Sequence, residues 1–237
     1  MKSVSKIIIV ILTILPLSGL KAQISNLSDA RGVPLMKVQY DDIEGSPYLG
    51  NGTWYIGKMT TVDNKELDVA QIRLNAFDNE LEYYKNGQPF VIAKNQISQF
   101  TMTFQRLDPN GGVMSNKELF FKKGYTIDGE VNPNEFVNVL YDGEEFVLLQ
   151  KFEKMKIKVT PAAYGQSDYV KFVDEETYYV ITEQGGEEIK LNKRSFYQLY
   201  PSHKSDLKKF ISKNNIDFDD NADLEQLGLF IEQLNAS

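Results

Sequence analysis

The 237-residue chain has no cysteine, one histidine and one tryptophan, and these scarcities remove whole classes of chemistry. Without cysteine there is no disulfide, no thiolate nucleophile, no cysteine-ligated zinc and no site for lipidation behind a signal-peptidase II cut. The lone histidine, His203, supplies at most one imidazole ligand, so zinc and other imidazole-dependent metal sites fall with it. A Ser-His-Asp arrangement would need the same residue. His203 stands in Pro-Ser-His-Lys-Ser, which reads as a solvent-facing helix start, and the chain contains no Gly-x-Ser-x-Gly elbow. No cofactor and no metal is therefore expected.

Long apolar runs are also scarce. The longest, residues 7–20, follows Lys2 and Lys6, contains Pro16 and ends at Leu20-Lys21-Ala22. A spanning helix needs roughly 20 apolar residues, so this run reads as a secretory signal cleaved after Ala22, with the mature chain starting at Gln23 and carrying no transmembrane segment. The expected location is exported, periplasmic or extracellular, and not a lipoprotein.

Removing Lys2, Lys6 and Lys21 leaves 23 basic residues against 33 acidic ones, a net charge near −10. That sign argues against nucleic acid and against anionic lipid surfaces, both of which reward clustered Lys and Arg. Thirteen Tyr and 14 Phe are too many large apolar groups for a disordered chain, and a mature length of 215 residues suits one large domain or two small ones.

Periodicity gives the fold class. In residues 69–76, Ala70, Ile72, Leu74 and Ala76 share one face of a half-buried strand while Gln71, Arg73 and Asn75 share the other. Residues 80–85 and 88–92 flank Asn86-Gly87, the composition of a type I′ hairpin, and Pro89 points to an edge position for the second strand. The same reasoning places hairpin turns at Asp142-Gly143 and Gly185-Gly186, and a further turn at residues 108–112. The polar stretch 128–134 reads as a long loop or a boundary. Strand alternation stops after Leu191. Helical spacing then predicts a short turn over 195–200, a helix over 203–213 capped by Ser202 or Ser205, and a last helix over 221–234 with Leu224, Leu227, Phe230, Ile231 and Leu234 on one stripe. The expectation is mainly β, antiparallel meander sheets forming a sandwich or barrel-like body over 23–194. Two to three short helices over 195–237 pack on the sheet.

The leader ending in Lys-Ala-Gln, the stretch Gly50-Asn-Gly-Thr-Trp-Tyr-Ile-Gly57, the segment beginning Arg73-Leu-Asn-Ala-Phe, and the endings Leu191-Asn-Lys-Arg-Ser-Phe196 and Leu207-Lys-Lys-Phe-Ile-Ser-Lys213 resemble exported, uncharacterised proteins of Bacteroidota-type bacteria. The resemblance implies a cell-envelope setting and a β-rich body with a helical end. It supplies no catalytic residues.

Three patterns invite a chemical reading. Residues 217–228 match a calcium loop at its first, third, fifth and seventh positions, but Ala222 stands where the turn wants Gly and Gly228 where a bidentate Glu belongs, so an Asp-rich helix start explains them better. Glu144-Glu145, Glu175-Glu176 and Glu187-Glu188 are neighbours whose side chains diverge in strands, which suits turn and edge charges more than a glycosidase pair. The doublets Tyr83-Tyr84, Phe120-Phe121 and Tyr178-Tyr179 each send one ring inward and one outward, and Tyr83, Tyr84, Tyr178 and Tyr179 are the candidate contacts for a glycan or an envelope protein. Trp54 is expected in the core. The resulting expectation is a non-catalytic binding or structural module of the envelope, with a carboxylate-dependent glycan hydrolase as the alternative.

Overall fold

The structure is a computed structural model that describes residues 32–34, 40, 42–107, 113–162 and 167–235. The expected leader over residues 1–22 and the expected turn at 108–112 lie outside these. The chain is mainly β with a helical C-terminal segment. Twelve strands form one sheet: β1 (Gly32–Pro34), β2 (Ile43–Glu44), β3 (Tyr55–Thr61), β4 (Glu66–Asn75), β5 (Glu80–Lys85), β6 (Gln88–Ile92), β7 (Ile97–Leu107), β8 (Val113–Lys122), β9 (Val137–Asp142), β10 (Val147–Val159), β11 (Tyr169–Thr182) and β12 (Gly185–Ile189). Their order is β1-β6-β5-β4-β3-β7-β8-β9-β10-β11-β12, and β2 pairs in parallel with β11 at Val170 and Lys171. Every other pairing is antiparallel, as a meander requires.

The Asn86-Gly87 hairpin is as its composition dictates. Both residues have positive φ, 52° and 82°, and Lys85 faces Gln88 across the turn. In β4, Ile72 and Leu74 are fully buried, and Ala76, one residue past its end, is nearly so. Three turn details differ from expectation. Asp142 ends β9, and Gly143 opens a longer connection closed by its N–H bonding to Phe146 O at 3.0 Å. Glu183 and Gln184, not the glycines, make the β11–β12 turn, because Thr182 pairs directly with Gly185 and Gly186 is already in the strand. Pro89 does not mark an edge: β1 covers β6 at Phe90, Val91 and Ile92, and Pro89 sits one residue beyond that pairing, where no ladder bond is lost.

Three helices follow, α1 (Lys193–Leu199), α2 (Lys204–Asn214) and α3 (Asn221–Asn235). Asn192 caps α1 by accepting from the Arg194 and Ser195 amides. Neither Ser202 nor Ser205 caps α2; His203 occupies the cap position without a side-chain bond. Their apolar stripes meet the sheet, with Leu207, Leu227 and Ile231 packing on Leu148, Val180 and Phe146. The opposite face of β9 to β11 is covered by the loop between β8 and β9, whose Ile127 and Val131 lie against Leu149 and Tyr179. A separate core between β3 and β8 gathers Met59, Ile72, Phe100 and Phe121.

The sheet also folds back on itself. The Lys154 N–H in β10 donates to Ala76 O at the end of β4 at 3.3 Å. Asn79 exchanges bonds with the Phe136 backbone at 2.8 and 3.0 Å. The Lys156 ammonium stands 4.1 Å from the Phe77 ring and 4.9 Å from Tyr40, a cation held by aromatic faces from different parts of the chain. These contacts leave a trough between the first core and the helix-covered one.

Candidate functional site

The trough is a groove of about 360 Å³, within the range of small-molecule and peptide sites. Its apolar wall comes from distant segments: Phe104 of β7, Phe152 of β10, Leu191 after β12 and Phe218 before α3. Behind it runs a row of polar side chains on the inward face of β9, β10 and β11. Asn138 is fully buried, accepts from Phe120 N at 2.9 Å and donates to Gln150 Oε1 at 2.7 Å. Gln150 Nε2 then donates to Glu176 Oε1 at 2.7 Å and contacts the Tyr178 hydroxyl at 3.2 Å, while that hydroxyl donates to the same Glu176 oxygen. The register sets this up, since Gln150 faces Asn138 on one side and Tyr178 on the other. Burial, and then the Glu176 carboxylate, push the Tyr178 phenol above its ordinary value, so it is a neutral donor at physiological pH. Lys117 of β8 and Asp219, just before α3, also line the groove. A chain of satisfied bonds from the sheet interior to the groove fixes these side chains.

A second hollow of about 500 Å³ lies between the β11–β12 turn and the α1–α2 connection, and it contains Glu145, Glu183, Tyr200 and His203. A hydrogen bond to Glu183, and then its charge, raise the Glu145 carboxyl above the usual carboxylate range. Burial pushes Tyr200 up to about 12. His203 is half-buried and lines this hollow. No hydrogen bond joins His203 to either carboxylate among the described residues. Among those residues no group of three or more His, Asp and Glu side chains is arranged to hold a metal ion.

Arg73 organises a third cluster, on the outer face of β3 to β6. Its guanidinium grips Glu82 Oε2 through Nε at 2.8 Å and Nη2 at 2.7 Å, and its Nη2 also donates to Tyr48 Oη at 2.9 Å. Tyr48 in turn donates to Glu82 Oε1 at 3.1 Å. The planar cation lies between the Tyr48 and Trp54 rings, 3.7 and 4.2 Å from their centroids. Burial raises the Glu82 carboxyl despite the pull of Arg73. Both Glu82 oxygens and the Nε and Nη2 of Arg73 are used internally, which makes the cluster an anchor more than a site. Trp54 is thus not in the core: it is half-exposed, stacked on Arg73 and 5.3 Å from Tyr84.

The four tyrosines named from the sequence separate as strand alternation requires. Tyr83 is 4% exposed and stacks on Phe90, and Tyr179 is 2% exposed and donates to Glu130 at 3.1 Å, so neither offers a surface ring. Tyr84 is exposed on the outer face, and Tyr178 is half-buried in the groove. The two do not meet at one site. The Asp-rich stretch before α3 spends its oxygens on backbone: Asp220 accepts from Ala222 and Asp223, Asp223 from the Asp217 amide, and Asp217 from the Asp219 amide. The glutamate doublets do not converge with their sequence neighbours. Glu145 instead meets Glu183, its position set by Glu232 of α3, which accepts from the Glu145 and Phe146 amides at 3.0 and 2.9 Å. Asn138 and Gln150 had no sequence signal, because a polar residue in an alternating strand reads as solvent-facing.

Among the described residues no helix is long and apolar enough to cross a membrane. No family model matches the chain, and neither does any curated protein or solved structure.

Proposed function

We propose that this is an exported, non-catalytic binding protein of the cell envelope that takes a glycan or a segment of an envelope protein into the groove between the sheet and α3. One observation carries the reading. The groove combines aromatic and aliphatic walls with polar groups held by a buried hydrogen-bond row, which is the composition of a preorganised recognition surface. Stacking on Phe104, Phe152 or Phe218 and bonding to Tyr178, Gln150 and Glu176 suit a sugar face or a peptide side chain equally. Acidic net charge makes nucleic acid an unsuitable partner.

The hydrolase reading rests on Glu145 and Glu183. Glycosidases hold their two carboxyls about 5 to 9.5 Å apart, whereas these two are close enough to share a hydrogen bond.

The test is a panel of envelope glycans and peptides titrated against the protein and against Phe218→Ala, beside a screen of glycosidase substrates. Binding weakened by Phe218→Ala, with no turnover, supports the reading. Turnover abolished by Glu183→Gln in a folded variant would replace it.

A further inference from the structure

Along β11 the outer edge is covered at both ends and open between them. At one end β12 pairs with Tyr178 to Thr182; at the other β2 pairs with Val170 and Lys171, and Gly45 then lies against Phe172, where a Cβ would be 3.5 Å from Phe172 O. Thr182 and Gly185 close a two-residue turn, so the Thr182 N–H and C=O face β12, and strand alternation turns those of Tyr178, Glu176 and Asp174 to the same side. Past Tyr178, and before Lys171 is reached, no strand pairs with this edge among the described residues. The edge-facing backbone groups of Asp174 and Glu176 therefore have no backbone partner among the described residues.

This gap adjoins the groove. Glu176 belongs to both, and its side chain, with Tyr178, points to the groove face. On the other face Glu175 stands directly opposite Glu153, a like-charge pair that Lys151 relieves only through its 3.1 Å bond to Glu153. Asp174 is bound by Lys154 at 2.6 Å, which leaves Glu175, Glu176 and Asp219 as the carboxylates around the opening. The one cation of the groove itself, Lys117, comes from β8, three strands away across the sheet.

We infer that the gap between β2 and β12 accepts an extended basic peptide as an added strand of the sheet, a claim that rests on the groove being the binding surface. The peptide's backbone pairs with Asp174 and Glu176. Its basic side chains lie on the Glu175 face, and the apolar residues that alternate with them turn to the other face and descend into the groove beside Phe152 and Phe218. At about 3.3 Å per residue, Val173 to Thr177 holds a strand of about five residues. A free edge alone would accept any strand, including a second copy of this chain. The acidic border rejects such an acidic partner and selects a cationic one.

The experiment titrates the protein by fluorescence anisotropy with a labelled peptide of about eight residues alternating lysine with valine or phenylalanine. Controls are the same peptide N-methylated at alternate amides, an acidic counterpart, and a neutral glycan. Amide hydrogen exchange is followed at Asp174 and Glu176. Binding by the basic peptide is expected, with protection of those two amides, loss of at least about tenfold in affinity on N-methylation, and a similar loss in Glu175→Lys. Glu175→Lys removes the repulsion with Glu153, so it folds normally. Peptide binding without edge protection, or unaffected by N-methylation, overturns the strand-addition claim and leaves the groove reading in place if Phe218→Ala still weakens it. Glycan binding in the groove with no peptide binding does the same. Failure of every probe to bind overturns both.

Discussion

Replacing Gly228 by alanine sets two effects of opposite sign against each other, and the structure decides between them. Gly228 lies inside α3, where alanine gains about 1 kcal/mol of helix propensity. Its Cα, however, rests on the Tyr141 ring: an added Cβ would lie 2.5 and 2.7 Å from the two Cδ atoms and closer still to Cγ. These are atoms at the root of the ring, so no rotation of a flexible tip relieves the contact. Either Tyr141 leaves its rotamer or α3 moves out by about 1 Å, and overpacking of this kind costs roughly 1 to 3 kcal/mol. A shift of α3 also lengthens the bonds that Glu232 receives from the Glu145 and Phe146 amides, each a charge-assisted bond of about 1.5 kcal/mol or more. The steric and hydrogen-bond losses outweigh propensity, and the net expectation is a destabilisation of about 1 to 3 kcal/mol. Chemical denaturation measures it. In a Tyr141→Leu background the same substitution should cost little or become favourable, because the obstacle is gone. A Gly228→Ala protein as stable as the parent would refute the packing argument, as would additivity of the two substitutions.

Three further outcomes follow from the geometry. Arg73→Met should destabilise the fold by roughly 3 kcal/mol in a denaturant melt, since it strands the buried Glu82 carboxyl, and the double variant with Glu82→Met should recover much of that loss. Gly87→Val should cost on the order of 1 kcal/mol through backbone strain alone, because φ is +82° and no atom lies within 4 Å of a new Cβ; Gly87→Asn should cost less. Burial raises the phenols of Tyr48, Tyr125, Tyr178 and Tyr179 and takes Tyr40 and Tyr200 to about 12. Between pH 10 and 12 the unfolded chain thus binds fewer protons than the folded one, and stability should fall as pH rises through 10. Phenolate absorbance should then appear in a cooperative step together with unfolding, and a gradual titration of all tyrosines in folded protein would contradict it.

Much of this architecture is legible in the amino-acid order, and the exceptions have physical causes. The β4 face, the Asn86-Gly87 hairpin and the α3 stripe are local, so period and turn chemistry suffice to find them. The β11–β12 turn slips by two residues because glycine at 185 enters the strand at φ 113°, leaving Glu183 and Gln184 to make the corner. Pro89 misleads because its effect depends on β1, more than 50 residues away in sequence. Alternation correctly separates Tyr84 from Tyr83 and Tyr178 from Tyr179, but not which outward ring meets a groove. The groove itself is invisible in sequence, since Phe104, Gln150, Tyr178 and Phe218 come together only when the sheet folds back. Asn138 and Gln150 hide for a related reason: each looks like a solvent-facing residue until both faces of β9 and β10 are covered.

Photo-crosslinking in the cells that make the protein tests the groove most directly. A benzophenone side chain replaces Phe218 at the groove wall in one variant and Ile56, 64% exposed on the outer face, in another. The expected result is a discrete adduct from position 218 and none from position 56. Adducts from position 56 with none from 218, in folded protein, would contradict the groove as the binding surface.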